Sequence, residues 1–129
     1  MIKQAYCFIV TILLCMFCLS ACGSGTDEAA KRGAELYAQS VIGNVAGCSG
    51  CHSLDTGVVI IGPSLAGIGS SAATRVSGFT AEDYLHEAII TPDAFLVEGY
   101  PPGVMPVVYR EVLNEQQIND LVSYLLTLK

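Results

Sequence analysis

The five residues Cys48-Ser49-Gly50-Cys51-His52 constrain this chain more than any other feature of its sequence. Two cysteines separated by two residues and followed at once by histidine form the attachment motif of a c-type haem. In one helical turn, positions i, i+3 and i+4 share a face, so both thiols can bond to haem vinyl groups while the histidine faces the iron. The sequence therefore predicts one covalent haem c, attached through Cys48 and Cys51, with His52 as an iron ligand.

Three other interpretations of this motif fit the surrounding sequence less well. A thioredoxin-like dithiol needs a βαβ context, whereas the chain here continues through a Gly-rich loop into Gly62-Pro63. A zinc site needs four ligands, and His86 is the only other histidine. A disulfide between Cys48 and Cys51 is the third alternative. Haem attachment fits the surrounding sequence best.

The N-terminus has the pattern of an export signal. An apolar run from Ala5 to Leu19 follows a start whose only charge is Lys3. This run of about 15 residues is shorter than the roughly 20 that span a bilayer, and it matches the apolar region of a secretory signal. An uncleaved N-terminal membrane helix is the alternative. Both interpretations place the rest of the chain outside the cytoplasm.

The end of the apolar run, Leu19-Ser20-Ala21-Cys22, resembles the lipobox of bacterial lipoproteins. That resemblance implies cleavage before Cys22 and lipidation of its thiol. The predicted organisation is a lipoprotein signal peptide at residues 1–21, the lipidated cysteine with a short linker at 22–26, and a single domain at 27–129.

The charge of the exported part excludes some partners. Without residues 1–21, five Lys and Arg remain against twelve Asp and Glu, a net charge of −7. Such a chain is a poor ligand for nucleic acid, and anionic lipid headgroups repel it. Membrane association is therefore expected to depend on the lipid anchor and not on a basic patch.

A second axial ligand of the iron can be sought by elimination. Met1 and Met16 lie in the signal, which leaves Met105 as the methionine of the exported part. Pro106 favours an extended backbone at Met105, which suits a rigid loop that presents sulfur to iron. A methionine that fills a gap in the core is the ordinary alternative. His86, in a helical stretch, is the rival ligand.

On these motifs the chain resembles class I cytochromes c. The order is that of the family: the haem motif, then Gly62-Pro63-Ser64-Leu65, then Val104-Met105-Pro106. The resemblance implies an all-α fold in which three to five helices and loops wrap around one haem, over residues 27–129. It also implies that the Pro63 carbonyl accepts a hydrogen bond from His52 and so orients the ring.

The resemblance extends to two further features. The first and last helices of the family cross where a glycine packs against an aromatic ring, and Gly33 and Tyr124 match these positions; a merely tolerated glycine is the alternative. The stretch from Thr80 to Met105, and especially the segment 97–106, looks like that of the monohaem lipoprotein subunit of alternative complex III and of oxidase-linked cytochrome c domains.

The apolar pattern predicts three helices. The first runs from Asp27 to about Ser40, capped by Thr26, with one apolar face that includes Tyr37 and Val41. The second begins after Thr80 and ends at Thr91-Pro92. The third begins after Asn114, with Gln117 reaching back, and continues to Lys129.

The loops between these helices contain apolar residues that could cover a haem. The run 58–61 either does so or forms a short strand, and both possibilities stay open. The apolar residues considered as haem cover are Val58, Val59, Ile60, Ile61, Leu65, Ile68, Phe79 and Phe95.

An iron with ligands on both faces has no open position for a substrate, so electron transfer is the expected function. The hypothesis is a monohaem carrier of single electrons, lipid-anchored at the extracytoplasmic face of a bacterial membrane, between a quinol-oxidising complex and a terminal oxidase or reaction centre. Glu82, Asp83 and Glu87 on one helix would favour a positively charged partner. The alternatives are a permanent subunit of a respiratory complex, and a haem enzyme or gas sensor in which Met105 dissociates.

Overall fold

The computed structural model describes residues 24–129. The predicted signal peptide, the lipobox and Cys22 lie outside the described residues. No helix in residues 24–129 is long and apolar enough to cross a bilayer. In chain order the elements are α1 (Ser24–Tyr37), β1 (Val41–Ile42), β2 (Val45–Ala46), α2 (Cys48–Cys51), α3 (Ile68–Ser71), a 3₁₀-helix (Ala72–Thr74), α4 (Ala81–Ile90), α5 (Tyr109–Val112) and α6 (Glu115–Thr127).

The starts of α4 and α6 are confirmed, because each begins with a capping box. The Thr80 hydroxyl accepts from the Asp83 N–H at 3.1 Å, and the Asp83 carboxylate accepts from the Thr80 N–H at 3.0 Å. In α6, Asn114 and Gln117 make the same reciprocal pair at 2.9 and 3.0 Å. Each box satisfies two backbone groups that have no partner within the helix.

The bounds predicted for α1 were wrong at both ends. The helix includes Ser24, so Thr26 lies inside it and does not cap it, and residues 24–26 of the predicted linker are helical. Asp27 in the first turn stabilises such an extended start through the helix dipole. The helix ends at Tyr37 because Val41 pairs with Ala46 in a two-stranded hairpin that we did not predict.

The all-α fold is confirmed, although the described chain has six α-helices where three to five were expected. The additional helices, α2, α3 and α5, have four residues each. The core lies between the three long helices. Its buried members are Leu36, Tyr37, Ile42, Ile68, Ala72, Tyr84, Leu85, Ile89, Tyr109, Leu113, Ile118, Leu121, Val122 and Leu125.

The crossing of α1 and α6 holds the two ends of the domain together. A Cβ atom at Gly33 would lie 2.8 Å from the Tyr124 Cβ and would overlap the backbone carbonyl of Asp120. The crossing predicted at Gly33 and Tyr124 is therefore confirmed. The Tyr37 ring packs on the Tyr124 ring with centroids 5.5 Å apart.

An ion pair that was not predicted from the sequence joins α1 and α6 at the same crossing. Arg32 donates from Nε and Nη2 to the two carboxylate oxygens of Asp120, at 2.8 and 2.7 Å. This hydrogen bonding holds the pKa of Asp120 below its ordinary value. The carboxylate therefore remains charged and paired although Asp120 is almost fully buried.

Candidate functional site

A mostly apolar cavity opens between α4, α6 and the loops that connect the helices. The predicted site residues of the described chain all line this cavity: Cys48, Cys51, His52, Pro63 and Met105. Residues far apart in the sequence thus meet in one place.

The two cysteines are the ends of α2, so one helical turn brings both thiols to the cavity. Neither is paired in a disulfide, and burial raises the pKa of the Cys48 thiol. Within residues 24–129, no three His, Cys, Asp or Glu side chains form a metal-binding cluster. The structure therefore offers no support for the disulfide or the zinc interpretation.

The orientation of the His52 ring is set by the loop that follows it. The Cys51 carbonyl accepts hydrogen bonds from the N–H groups of Ile61 at 3.1 Å and Gly62 at 2.9 Å. This places the Pro63 carbonyl oxygen 2.8 Å from Nδ1 of His52. A carbonyl can only accept, so Nδ1 carries the proton and Nε2 keeps a free lone pair. That is the tautomer that a metal ligand requires.

Gly62 is a functional residue whose role the sequence analysis did not recognise. A Cβ atom at this position would lie 2.5 Å from Cε1 and 2.8 Å from Nδ1 of His52. Any larger residue would therefore displace the imidazole. The signal in the sequence was a glycine directly before the proline that orients the ring.

Two buried tyrosines fix the segment that carries the haem motif, and neither was predicted to do so. The Tyr37 hydroxyl donates to the His52 carbonyl at 2.6 Å, and the Tyr109 hydroxyl donates to the Ala46 carbonyl at 2.6 Å. Burial raises the pKa of Tyr37 to about 12, and it also raises the pKa of Tyr109. Both hydroxyls therefore keep their protons and remain donors at neutral pH.

Met105 and His86, the two candidates for a second axial ligand, have different surroundings. Met105 is half-buried, packs against the core and lines the cavity. His86 is not part of the cavity lining, and its Nε2 lies 3.4 Å from a carboxylate oxygen of Glu115. In this geometry Met105 shares the cavity with His52, and His86 does not.

The apolar residues expected to cover the haem divide into two groups. Ile61, Leu65, Ile68 and Phe95 line the cavity. Phe79 instead packs edge to face on the Phe95 ring, with centroids 5.2 Å apart. The remaining members of the run 58–61 form no strand and are exposed outside the cavity: Val58, Val59 and Ile60.

The chemistry of the cavity fits a haem c. Two adjacent thiols can form thioether bonds, an imidazole with a free Nε2 can bind iron, and a thioether sulfur is available from another part of the lining. The remaining lining is mostly aliphatic and aromatic, as the macrocycle requires.

Comparisons with known proteins agree with this geometry. The family model for cytochrome c matches residues 30–129. Cytochrome c2 iso-2 of Magnetospirillum molischianum is 33% identical over 88 residues, which cover 64% of this chain and 91% of that protein. Cytochrome c2 of Rhodopseudomonas palustris (strain ATCC BAA-98 / CGA009) is 28% identical over 130 aligned positions, covering 83% and 86% of the two chains. The chain thus belongs to the cytochrome c family, as an electron-transfer protein with one haem c attached through Cys48 and Cys51.

Proposed function

We propose that this chain is a lipid-anchored periplasmic electron carrier whose haem iron is bound axially by His52 and Met105. The observation that carries the proposal is that both side chains line one apolar cavity, together with the two cysteines of the haem motif. The bound haem supplies a reversible one-electron change at its iron, between the ferrous and ferric states.

The protein residues adjust the potential and exclude other reactions. A thioether ligand raises the reduction potential, and an apolar lining disfavours the extra charge of the ferric state in the same direction. Tyr84 and Leu85 of α4 and Leu121 of α6 provide part of this lining from the buried core. With His52 and Met105 both bound, the iron would have no open position for a substrate, which would separate a carrier from an enzyme.

Replacing Met105 with alanine tests the ligand directly. We expect the midpoint potential to fall by about 0.1–0.3 V, a part of the roughly 0.8 V range that axial ligands set. The reduced variant is expected to bind carbon monoxide at neutral pH, because one axial position is then open. Potentiometric titration and the carbon monoxide difference spectrum measure these two effects.

Val104→Ala is the matched control for this experiment. Val104 precedes Met105 on the same loop and also lines the cavity. The substitution removes apolar contact without removing a ligand. The midpoint potential of Val104→Ala should therefore stay close to that of the wild type. The ligand assignment is wrong if the reduced wild-type protein binds carbon monoxide as readily as Met105→Ala does. Separately, a wild-type midpoint potential well below zero would contradict a high-potential carrier.

The proposed location and partners rest on the sequence and on the acidic surface. The resemblance of residues 19–22 to a lipobox supports anchoring on the periplasmic side, where electrons would pass from a quinol-oxidising complex to a terminal oxidase or reaction centre. Glu82 and Asp83 are exposed on α4, and hydrogen bonds from Thr80 hold the pKa of Asp83 below its ordinary value. This surface favours a positively charged partner, so electron transfer should slow as salt is added.

Gly62→Ala tests the role of the close approach to His52. The added methyl group must push the imidazole away from the Pro63 carbonyl, and loss of such an outer hydrogen bond weakens a metal–ligand bond by about 10–100-fold. Acid then displaces His52 from the ferric iron more easily. The midpoint pH of the change from low to high spin should therefore rise by about 1–2 units. An absorbance titration of the ferric protein measures this shift.

Gly50→Ala is the control for the Gly62 experiment. Gly50 lies inside the haem motif, but a Cβ atom there meets only the Ala46 Cβ at 3.8 Å, an ordinary contact. Its acid transition should match that of the wild type. Equal midpoint pH values for the acid transitions of Gly62→Ala and Gly50→Ala would show that His52 tolerates the methyl group and that Gly62 has no positioning role.

A permanent subunit of a membrane complex is the second candidate function. It is favoured by the exposed apolar side chains of three consecutive residues, Val58, Val59 and Ile60, because exposed apolar patches mark protein–protein or membrane interaction sites. Extraction from native membranes in mild detergent, followed by size-exclusion chromatography, separates the two candidates. A carrier elutes alone, whereas a subunit co-elutes with its complex in a fixed ratio.

A further inference from the structure

The segment that carries Met105 has few backbone hydrogen bonds. Over residues 95–107 the structure gives the backbone N–H groups only two hydrogen bonds. One joins the Tyr100 N–H to the Val97 carbonyl at 3.0 Å, within the segment itself. The other is made by the Gly103 N–H, two residues before Met105, and of these two hydrogen bonds it is the one that reaches the preceding turn.

The partner of the Gly103 N–H is the Asp93 side chain. Both carboxylate oxygens of Asp93 lie within hydrogen-bond distance of this nitrogen, at 2.9 and 3.1 Å. The bond closes residues 93–103 into a loop whose two ends touch. Because the acceptor carries a charge, the bond is stronger than one between neutral groups.

Asp93 itself is held by the end of α4. The Thr91 N–H donates to the Glu87 carbonyl at 2.7 Å, and the Ala94 N–H donates to the Thr91 carbonyl at 2.9 Å, so Asp93 sits in a closed turn. The preceding helix is fixed in the core through buried side chains that include Ile89. The carboxylate is therefore attached to a rigid part of the domain.

The chain is also fixed on the other side of Met105. Tyr109 is buried, and its hydroxyl donates to the Ala46 carbonyl next to the haem motif. Pro106 has no N–H and restricts its own backbone. Met105 thus lies between a fixed point at Tyr109 and the Asp93–Gly103 bond.

We propose that Asp93 is a positioning residue that keeps the Met105 sulfur on the haem iron by tying Gly103 to the end of α4. This proposal rests on the proposed function, because it assumes that Met105 is an axial ligand. Asp93 also lines the cavity, but its role here is exerted through the Gly103 N–H. Without this bond the loop opens more often, and Met105 leaves the iron for a larger fraction of the time.

Binding of imidazole to the ferric holoprotein measures that fraction. An external ligand binds only when the axial position is open, so its apparent affinity rises in proportion to the open population. We expect Asp93→Ala to bind imidazole about three- to tenfold more tightly than the wild type. Asp93→Asn retains an oxygen that can accept from Gly103, so it should bind imidazole within about twofold of the wild type.

Glu98→Ala is the matched control for charge. Glu98 is an exposed acid on the same loop, and no hydrogen bond of its side chain is present in residues 24–129. It should leave imidazole binding within about twofold of the wild type. The role of Asp93 is overturned if Asp93→Ala binds imidazole like the wild type, or if Asp93→Asn and Glu98→Ala both tighten binding as much as Asp93→Ala does.

The spectrum of the wild-type protein separates this proposal from the proposed function. A ferric haem with a thioether ligand has a weak long-wavelength absorption band that an external ligand abolishes. If the wild type lacks this band, the assignment of Met105 fails, and the role of Asp93 fails with it. If the band is present and imidazole removes it at the same concentration in Asp93→Ala as in the wild type, only the role of Asp93 is overturned.

Discussion

Replacing both Cys48 and Cys51 with serine is expected to abolish covalent haem attachment and to leave the domain without a stable fold. The cavity is lined by core residues of α4 and α6, and a bound haem would supply the apolar body for these side chains to pack against. Without it, that surface faces water or an unfilled space. We expect the free energy of unfolding to fall by at least about 5 kcal/mol, which is the entire stability of many small domains.

Two measurements on the serine variant check this expectation. Acidified acetone removes haem that is not covalently bound, and the pyridine haemochrome spectrum of the remaining protein should show no haem c. Thermal unfolding followed by circular dichroism should show no cooperative transition. Ser49→Ala, which changes one of the two residues between the cysteines and leaves both thiols, should keep its haem and its transition. A cooperative transition in the haem-free serine variant would contradict the expectation.

Features determined by nearby residues could be predicted from the sequence. The haem motif needs one helical turn, and α2 supplies that turn from Cys48 to Cys51. The starts of α4 and α6 depend on a cap and a partner three residues later, so Thr80 and Asn114 were sufficient to locate them. All these signals act over fewer than five residues, a distance at which the chain geometry is already known.

Features determined by distant contacts could not be predicted from local patterns; where one was predicted, as at Gly33 and Tyr124, the family resemblance supplied it. Arg32 and Asp120 are 88 positions apart, and nothing in either neighbourhood indicates the other. The same holds for Tyr109 and Ala46, which are 63 positions apart. The exposure of the run 58–61 depends on where the loop lies relative to the cavity, and the apolar pattern alone does not contain that information.

Gly33→Ala is expected to cost about 3 kcal/mol of stability, although alanine is a better helix former than glycine. The added Cβ atom would overlap the backbone carbonyl of Asp120 and crowd the Tyr124 Cβ at 2.8 Å. A backbone carbonyl inside α6 cannot turn away as a side chain can, so the two helices must separate. Overpacking of a close contact costs up to about 3 kcal/mol, and here the separation also disturbs the ion pair between Arg32 and Asp120.

Gly25→Ala is the matched control because it makes the same substitution in the same helix. A Cβ atom at Gly25 meets nothing within 4 Å, so this variant should gain up to about 1 kcal/mol from helix propensity. Urea unfolding of the ferric holoproteins gives the free energy of unfolding of both variants. An unchanged slope of this free energy against urea concentration shows that the same surface is exposed on unfolding. The two alanines should therefore shift the midpoint in opposite directions. A shift of the same sign and size in both would mean that helix propensity governs both positions and that α1 and α6 do not meet at Gly33.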